Sequence, residues 1–519
     1  MVRPTVSTLL SLVLYLPAAL GATTTSSTTT TTASTTSTSP PNTTVLSGSR
    51  TTNLLASFSG PPPLPAQTAV VNNGTLNIKN IQGDILVGQK KQLEMFYFFQ
   101  INNVTSFKSK LHNTIVPRIT SVFQLLDTST QPIVSLNLAF SQTGLQTLGF
   151  NTNVGDTVFA AGQAADATNL GDPGTTNWIS TFTNTAALHG VFLLATDDSS
   201  FMNVQIQQLE FVFGTDMTHL YSLEGNIRPA PYAGHEMFGY LDGIGQPAVE
   251  GFNVNPYPGQ LSVPPGVILT GETGDSLNST RPTWAKDGSF LAFRQLKQLV
   301  PEFNTFLLQS APSISGMTTQ QSADLVGARM IGRWKSGAPV DLNPTTDNPT
   351  QGADPTQNNN FDYSHTGFNL TTDESHCPFA AHIRKTRPRA DLVAPNNTII
   401  RSSIPYGPEV TAAETAASTS SSTLERGLAF VSYQSSLANG FQRLQKFWAN
   451  DPTFFPTHVP EPGHDPIIGQ NGSGARFMNG YNIQNTAQNL TMSQEFVVSR
   501  GGEYFFTPSI SAIRDVLSV

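Results

Sequence analysis

The 519-residue chain has almost no cysteine, few charged residues and no basic run. Cys377 is the only cysteine, so no intrachain disulfide can form, and beside Pro378 we expect it to be a small buried hydrophobe. Charged residues make up 12% of the chain, the formal net charge is −8 and the pI is about 5.6. This composition excludes nucleic acid as a partner.

Long apolar runs are also missing after the first residues. Arg3 precedes an apolar run over residues 9–20, which small residues close, and this is the pattern of a secretory signal peptide. No later stretch approaches the roughly 20 apolar residues of a membrane span. We therefore predict a signal peptide over residues 1–21 and a secreted, extracellular protein that does not bind a membrane.

The next segment is low in complexity. Every residue from 23 to 39 except Ala33 is Ser or Thr, and prolines follow at 40, 41 and 61–63. Such a composition cannot bury enough apolar surface to fold, and it predicts an O-glycosylated stalk or a propeptide over residues 22–65. We expect the folded region to begin between residues 65 and 80.

The chain contains several acceptor sequences for N-linked glycans. They begin at Asn42, Asn73, Asn103, Asn278, Asn369, Asn396, Asn471 and Asn489. In a secreted chain several of them should carry glycans, which would place their loops at the surface.

Strand-like and helix-like segments are mixed in the remaining residues. Apolar runs of strand type lie at 95–101, 134–140, 190–195 and 428–433. Helical spacing follows the first run, and residues 201–213 also look helical, although their dense apolar content leaves the period ambiguous. A Pro/Gly-rich stretch at 256–266 could join two halves, and the Asn/Asp/Pro-rich stretch at 341–362 predicts a long exposed loop. Without regular βαβ alternation, this mixture favours an α+β fold.

One short segment has the composition of a site for proton transfer. Asp242 follows Phe238-Gly-Tyr-Leu and precedes Gly243. An Asp-Gly pair alone is a common turn, but apolar neighbours should raise the pKa of this carboxyl and suit it to exchange protons. Gly239 and Gly243 would let the backbone approach a flat ligand closely.

Two distant residues could complete such a site. The nine histidines form no close-spaced His/Cys cluster, so a zinc site is not expected. A single axial imidazole on haem iron needs no neighbour in sequence, only an acceptor for its other nitrogen, and His382 with Asp465 could supply both. Arg401, in a polar segment, could be a cation of the site or a surface residue.

Several motifs along the chain resemble those of the dye-decolorising peroxidase family, particularly its secreted fungal members. They are Asn80-Ile-Gln-Gly-Asp-Ile-Leu-Val87, Gly234-His-Glu-Met-Phe-Gly-Tyr-Leu-Asp-Gly243, Gly327-Ala-Arg-Met-Ile-Gly-Arg-Trp-Lys-Ser-Gly-Ala-Pro339, Cys377-Pro-Phe-Ala-Ala-His-Ile-Arg384, Arg401-Ser-Ser-Ile-Pro-Tyr-Gly407 and Gly501-Gly-Glu-Tyr-Phe-Phe506. The resemblance extends over nearly all of the region that we expect to fold.

The resemblance implies two ferredoxin-like halves with antiparallel sheets and peripheral helices around one buried haem b. We place the half with the distal Asp at 66–260 and the half with the proximal His and distal Arg at 261–519. The implied roles are carried by Asp242 (distal acid-base), Arg401 (distal cation), His382 (axial ligand of the haem iron), Asp465 (partner of His382), Leu428 and Phe430 (haem-pocket lining), and Tyr406 and Trp448 (surface electron transfer).

The implied function is that of a secreted haem peroxidase. It would reduce hydrogen peroxide and oxidise anthraquinone dyes and phenolic substrates in one-electron steps through a ferryl intermediate. Two alternatives stay open: another haem chemistry of the wider superfamily, such as iron extraction or decarboxylation, and a carrier or wall protein in which haem is structural.

Overall fold

The first half of the fold is an antiparallel sheet of four strands. The computed structural model describes residues 59–472 and 474–519. The strands are β1 (Leu93–Ile101), β2 (Ser135–Phe140), β3 (Gly190–Thr196) and β4 (Met217–Asn226). Their order is β2-β3-β1-β4, and all three pairings are antiparallel. Three of these strands match the predicted apolar runs within two residues at each end.

The second half repeats this arrangement. Two short pairs stand apart from its sheet: β5 (Ala248–Val249) with β6 (Ser262–Val263), and β11 (Arg476–Met478) with β12 (Leu490–Met492). The strands of its sheet are β7 (Ser289–Gln298), β8 (Ile400–Arg401), β9 (Ile404–Tyr406), β10 (Gly427–Gln434) and β13 (Val497–Thr507). β7 lies between β13 and β10, and β10 also pairs with β8 and β9. If β8 and β9 are counted as one interrupted strand, each half contributes four strands to the barrel. In each half, the strands that come first and third along the chain lie in the centre of the sheet.

The two sheets join at both edges and close into a barrel. β13 meets β2 through the pair Phe506 and Phe140, and β4 meets β9 through the pair Gly225 and Tyr406. The α+β class is confirmed. The closure of the barrel was not predictable from the sequence, because a single residue pair joins the sheets at each edge and one pair produces no recognisable sequence pattern.

The alternation of side chains on β1 explains how the barrel is filled and covered. Phe96 and Phe98 belong to the cluster that contains Phe293 of β7 and Val431 of β10, whereas the alternate residue Phe99 packs under the helices. Since both faces are buried, the strand is nearly continuously apolar.

Helices cover the barrel. The α-helices are α1 (Gln67–Asn73), α2 (Gly83–Leu86), α3 (Val104–Lys110), α4 (Val122–Leu125), α5 (Gln142–Thr147), α6 (Thr157–Ala161), α7 (Gln163–Asp166), α8 (Ser180–Thr183), α9 (Ser199–Phe213), α10 (Val300–Ser310), α11 (Thr319–Ile331), α12 (Pro349–Ala353), α13 (His382–Thr386), α14 (Ala412–Ala417), α15 (Phe441–Arg443) and α16 (Ile510–Ala512). π-helical turns extend α3, α15 and α16 through Leu111–Ile115, Leu444–Ala449 and Ile513–Leu517. The two predicted helical segments are confirmed as α3 with its extension and α9. No described helix has the length and apolar character to cross a membrane.

Two loop predictions need correction. The segment 341–362 is not simply an exposed loop, because it contains α12 and the buried Asn358 and Asn359. The stalk prediction also extends too far: the Asn358 amide donates to the Gly60 carbonyl at 2.6 Å, so residues 59–65 pack on the domain. A proline-rich segment can be ordered in this way when the folded surface supplies its hydrogen-bond donors. The predicted signal peptide and the stalk up to residue 58 lie outside the described residues.

The predicted surface positions of the sequons are confirmed within the described residues. Exposed asparagines occupy positions 73, 103, 278, 369, 396, 471 and 489, whereas Asn42 lies outside the described residues. Cys377 is fully buried and free, as predicted.

Candidate active site

Asp242 lies on the irregular connection between β4 and β7, in a turn that two glycines permit. Gly239 has φ = +96° and Gly243 has φ = +81°, in the left-handed region that glycine tolerates best. A Cβ at Gly239 would lie 3.8 Å from the Lys335 side chain, and one at Gly243 would lie 3.6 Å from Pro61. The turn therefore requires these glycines for their backbone conformation, and their close approach to a flat ligand stays a prediction.

A second carboxylate holds the same turn in place. Glu236 accepts hydrogen bonds from the backbone N–H groups of Phe238 and Tyr240, both at 2.9 Å, and from the Gln298 amide at 2.5 Å. Burial raises the pKa of Glu236 despite these donors. Glu236 was not predicted from the sequence, because its hydrogen bonds go to backbone atoms that any polar residue could bind.

Arg401 is brought to Asp242 from the second half of the fold. It lies at the end of β8, paired with Ser432 of β10. The Gln246 side chain accepts from the Arg401 backbone N–H at 3.0 Å and donates to its carbonyl at 2.5 Å, which fixes Arg401 beside the Asp242 segment. The Arg401 Nη1 then donates to Asp242 Oδ1 at 2.6 Å. Gln246 was also missed, because nothing in the sequence links it to a residue 155 positions away.

The electrostatics of Asp242 differ from the sequence prediction. Burial raises the pKa of this carboxyl, but Arg401, the Gly243 backbone N–H and His382 together outweigh it and hold the pKa below its ordinary value. The predicted upward shift was wrong, since the apolar neighbours were visible in the sequence and the guanidinium was not. Asp242 is therefore a carboxylate near neutral pH.

The imidazole of His382 is held by a fully buried carboxylate. His382 is the first residue of α13, and its Nδ1 lies 2.8 Å from Oδ2 of Asp465. The other oxygen of Asp465 accepts from the backbone N–H groups of Ile467 and Ile468 at 2.8 and 3.0 Å. Burial raises the pKa of Asp465, but His382 and these amides outweigh it, so the pKa is lowered. Because Nδ1 is engaged by Asp465, Nε2 is the ring nitrogen that remains for a metal ion.

Three of these four residues border one cavity, and the fourth, Asp465, lies behind His382. The cavity lining includes His382, Asp242 and Arg401, the apolar residues Phe238, Ile331, Leu428, Phe430, Leu444, Ile467 and Val497, and the further cations Arg294, Arg333, Arg387 and Arg389. A second cavity reaches Asp242 and Arg401 from another side and has Pro61, Pro62, Pro63 and Leu64 in its wall. The structure thus brings the predicted Asp242, His382, Arg401, Leu428 and Phe430 together, with Asp465 behind His382.

The remaining two predicted residues do not lie at the surface. Tyr406 and Trp448 are each 4% exposed. The Tyr406 hydroxyl donates to Glu425 at 2.9 Å, and burial with Glu425 raises the pKa of this phenol. Trp448 stacks on Phe454 with ring centroids 5.2 Å apart. The surface position expected for both rings was wrong. Both residues have polar neighbours in the sequence, which suggested exposure. In the fold, however, Tyr406 points to the buried side of β9, and Trp448 lies on the buried side of the turn after α15.

Comparisons with known proteins agree with this geometry. Residues 80–229 match the DyP dimeric alpha+beta barrel domain, and residues 269–453 match the C-terminal region of Dyp-type peroxidases. A dye-decolorizing peroxidase of Exidia glandulosa is 55% identical over 471 residues, which cover 91% of this chain and 93% of the relative. A dye-decolorizing peroxidase of Auricularia auricula-judae is 54% identical over 480 residues, covering 91% and 92%.

Solved structures give the same result. The crystal structure of a decolorizing peroxidase from Auricularia auricula-judae superposes with a TM-score of 0.83 at 54% identity, covering 86% of this chain and all of the other. A second structure with the same TM-score is of a dye-decolorizing peroxidase whose heme pocket was engineered for asymmetric sulfoxidation. The first matched region ends at residue 229 and the second begins at residue 269, and Asp242 lies between them. The matches therefore do not test the predicted domain boundary at 260, which stays a prediction.

The cavity suits the cofactor of these enzymes, which is haem. A free imidazole nitrogen at His382 matches the need of haem iron for one axial ligand. The apolar walls match the faces of the porphyrin, and the surplus of cations matches its anionic propionates. Two of these cations lack compensation: burial and Arg389 lower the pKa of Arg387 to about 10, and the Arg294 Nη1 has no partner among the described residues. Taken with the sequence matches, this fit completes the assignment: the chain belongs to the DyP-type peroxidase family of haem enzymes, which oxidise dyes with peroxide.

Proposed function

We propose that Asp242 and Arg401 form the peroxide-reacting side of this peroxidase and that His382 and Asp465 form its iron-binding side. The observation that carries the proposal is that a carboxylate–guanidinium pair at 2.6 Å and an imidazole held at 2.8 Å by a buried carboxylate border one largely apolar cavity. Haem, when bound, supplies the redox chemistry that reduces peroxide and oxidises organic substrates.

On the iron-binding side, Asp465 fixes the orientation and basicity of the imidazole. Three hydrogen bonds hold its carboxylate, one from His382 and two from backbone amides. A carboxylate that accepts from Nδ1 makes the ring a stronger electron donor at Nε2. His382 would therefore bind the iron through Nε2 with its ring plane already set.

On the peroxide side, Asp242 exchanges a proton and Arg401 compensates charge. Because the pKa of Asp242 is lowered, its carboxylate is ready to take a proton from one oxygen of hydrogen peroxide. The same side chain can return that proton to the other oxygen, so that water leaves. Arg401 stays charged throughout and stabilises the negative charge that develops as the O–O bond breaks.

We extend the proposal to anthraquinone dyes and small phenols as reductants. Leu428 and Phe430 line the cavity, and we infer that with haem bound it admits peroxide but not a bulky dye. Large reductants would then deliver electrons through the protein. Leu444 lines the cavity and packs in the same cluster as Trp448, and the Tyr406 phenol has Glu425 to accept its proton, which supports both rings as electron-transfer sites below the surface.

The proposal places the enzyme outside the cell. The apolar run after Arg3 and the exposed sequon asparagines support secretion with N-linked glycans, and the Ser/Thr-rich segment supplies acceptors for O-linked glycans. Mass spectrometry of the protein purified from culture medium would identify its first residue and its glycosylated asparagines. An intact residue 1, or protein retained in the cell, would contradict secretion.

Asp242→Asn tests the central role. The amide keeps the size of the side chain but cannot accept the proton, so haem absorbance should be retained while the bimolecular rate with peroxide falls by about 100- to 10,000-fold. Asp515→Asn is the matched control, since it removes the carboxylate of an exposed Arg–Asp pair that is also 2.6 Å long. A stopped-flow rate for Asp242→Asn equal to that of the control would contradict the acid-base role.

A further inference from the structure

A second cluster of potential ligands lies outside the haem cavity. Asp341, His365 and His376 each offer one atom, and these atoms all lie within 4.8 Å of one another. It is the one such group found in the part of the chain that the structure describes. Sequence spacing gave no hint of it, because the three residues are brought together only by the fold of two irregular segments.

The carboxylate of this cluster has no Arg or Lys partner among the described residues. Asp341 is 1% exposed, and its Oδ1 lies 3.0 Å from His365 Nε2. Its Oδ2 is buried without a hydrogen-bond partner among the described residues. A buried carboxylate oxygen without a donor or cation is costly, so this position calls for a positive charge.

The two imidazoles are arranged as metal ligands often are. The ring of His376 places Nδ1 2.7 Å from the backbone carbonyl of Asp341, and such a hydrogen bond fixes the tautomer that leaves Nε2 free. The His365 ring stacks on it with centroids 3.8 Å apart. Both residues are partly exposed, so an ion has a path from solvent.

The backbone around the cluster is fixed. The fully buried Arg329 of α11 donates to the carbonyls of Ser375 and His376, both at 3.1 Å. The Val340 backbone N–H, next to Asp341, donates to the Gly332 carbonyl at 3.0 Å. The backbone at Asp341 and His376 is thus held in place, and His365 is the third ligand, whose position can adapt to the ion.

We propose that Asp341, His365 and His376 bind a divalent transition-metal ion of the zinc class, with solvent completing the coordination. Two imidazole nitrogens and one carboxylate suit zinc and its neighbours, whereas calcium and magnesium prefer oxygen ligands alone. His376 lies six residues before His382. The ion therefore ties the segment that leads to the haem-side histidine to the turn after α11, and it stabilises the folded chain.

The experiment uses the full-length, haem-loaded protein, dialysed first against a chelator and then against Zn²⁺. Elemental analysis should find one zinc per chain in addition to haem iron, and zinc should raise the thermal unfolding temperature. His365→Gln and His376→Gln should each weaken zinc binding at least about tenfold. The matched control is His219→Gln, which removes an exposed histidine of β4. Haem absorbance equal to wild type shows that a variant is folded.

X-ray absorption spectroscopy at the zinc edge identifies the zinc ligands without interference from haem iron. Two imidazoles with Zn–N distances of about 2.0–2.1 Å would support the site. Zinc bound equally by both histidine variants, a spectrum without imidazole, or no zinc retained by the wild type would each overturn it. Haem content and peroxide kinetics of Asp242→Asn do not depend on this result, so the two proposals fail separately.

Discussion

The two carboxylates of the active site differ in how the protein holds them. Asp465 has a fully buried side chain, and both of its oxygens accept hydrogen bonds from within the protein. The Asp242 side chain is 27% exposed to the cavity and uses one oxygen for Arg401 and for the Gly243 backbone N–H. Both pKa values are lowered, but of the two carboxylates only Asp242 keeps an oxygen open to a ligand.

This difference separates orientation from proton transfer. A carboxylate saturated by buried donors cannot take up a proton without losing them, so Asp465 suits a fixed role behind His382. A carboxylate open to the cavity can change protonation at small structural cost. The site therefore uses the same residue type on its two sides for two different tasks.

The largest expected effect comes from breaking the iron-binding side altogether. His382→Ala removes the one imidazole that lines the cavity among the described residues, so haem per chain should fall below about a tenth of the wild-type value. The pyridine haemochrome assay measures it, and His219→Ala at an exposed position is the control. Haem retained in His382→Ala at the control level would contradict the assignment of the axial ligand.

A smaller effect is expected when the support of that imidazole is weakened. Asp465→Asn removes the negative charge but keeps the shape, so haem affinity or peroxidase activity should fall about 10- to 100-fold. Haem titration and steady-state rates measure the two separately. If the loss matches that of Asp242→Asn in size and leaves haem affinity unchanged, the contrast between the two carboxylates is wrong.

The peroxide side can be tested through pH. A carboxyl with a lowered pKa stays a base until the pH falls through that pKa, so the rate with peroxide should be lost only at the acid end. Arg401→Gln removes the main group that lowers the pKa, which should move this acid limb upward by about one pH unit or more. An acid limb that stays in place would show that Arg401 does not set the charge of Asp242.

The smallest effect is expected away from both carboxylates. Trp448→Phe keeps the stacking on Phe454 but removes the more easily oxidised indole, so turnover of a bulky anthraquinone dye should fall severalfold while that of a small phenol stays unchanged. Trp284→Phe, which alters another ring packed on phenylalanines, is the control. Equal loss for both substrates would indicate a packing defect.

Much of the site was predictable from local sequence. Apolar runs indicated β1, β2, β3 and β10, and short motifs indicated Asp242, His382 and Arg401. The missed residues have a common physical reason. Glu236 and Gln246 act by hydrogen bonds to backbone atoms, which any polar residue could make, and the direction of the Asp242 pKa shift depends on a guanidinium 159 positions away.

By itself the sequence determined the barrel strands β1, β2, β3 and β10, the residue types of the site and the family. Side-chain periodicity and short motifs are local properties, so a linear chain can carry them. The tertiary structure decided which groups face each other: the closed barrel, the charge state of Asp242, the buried positions of Tyr406 and Trp448, and the cluster of Asp341 with two histidines. Those properties depend on distance and burial between remote residues, which only the folded chain defines.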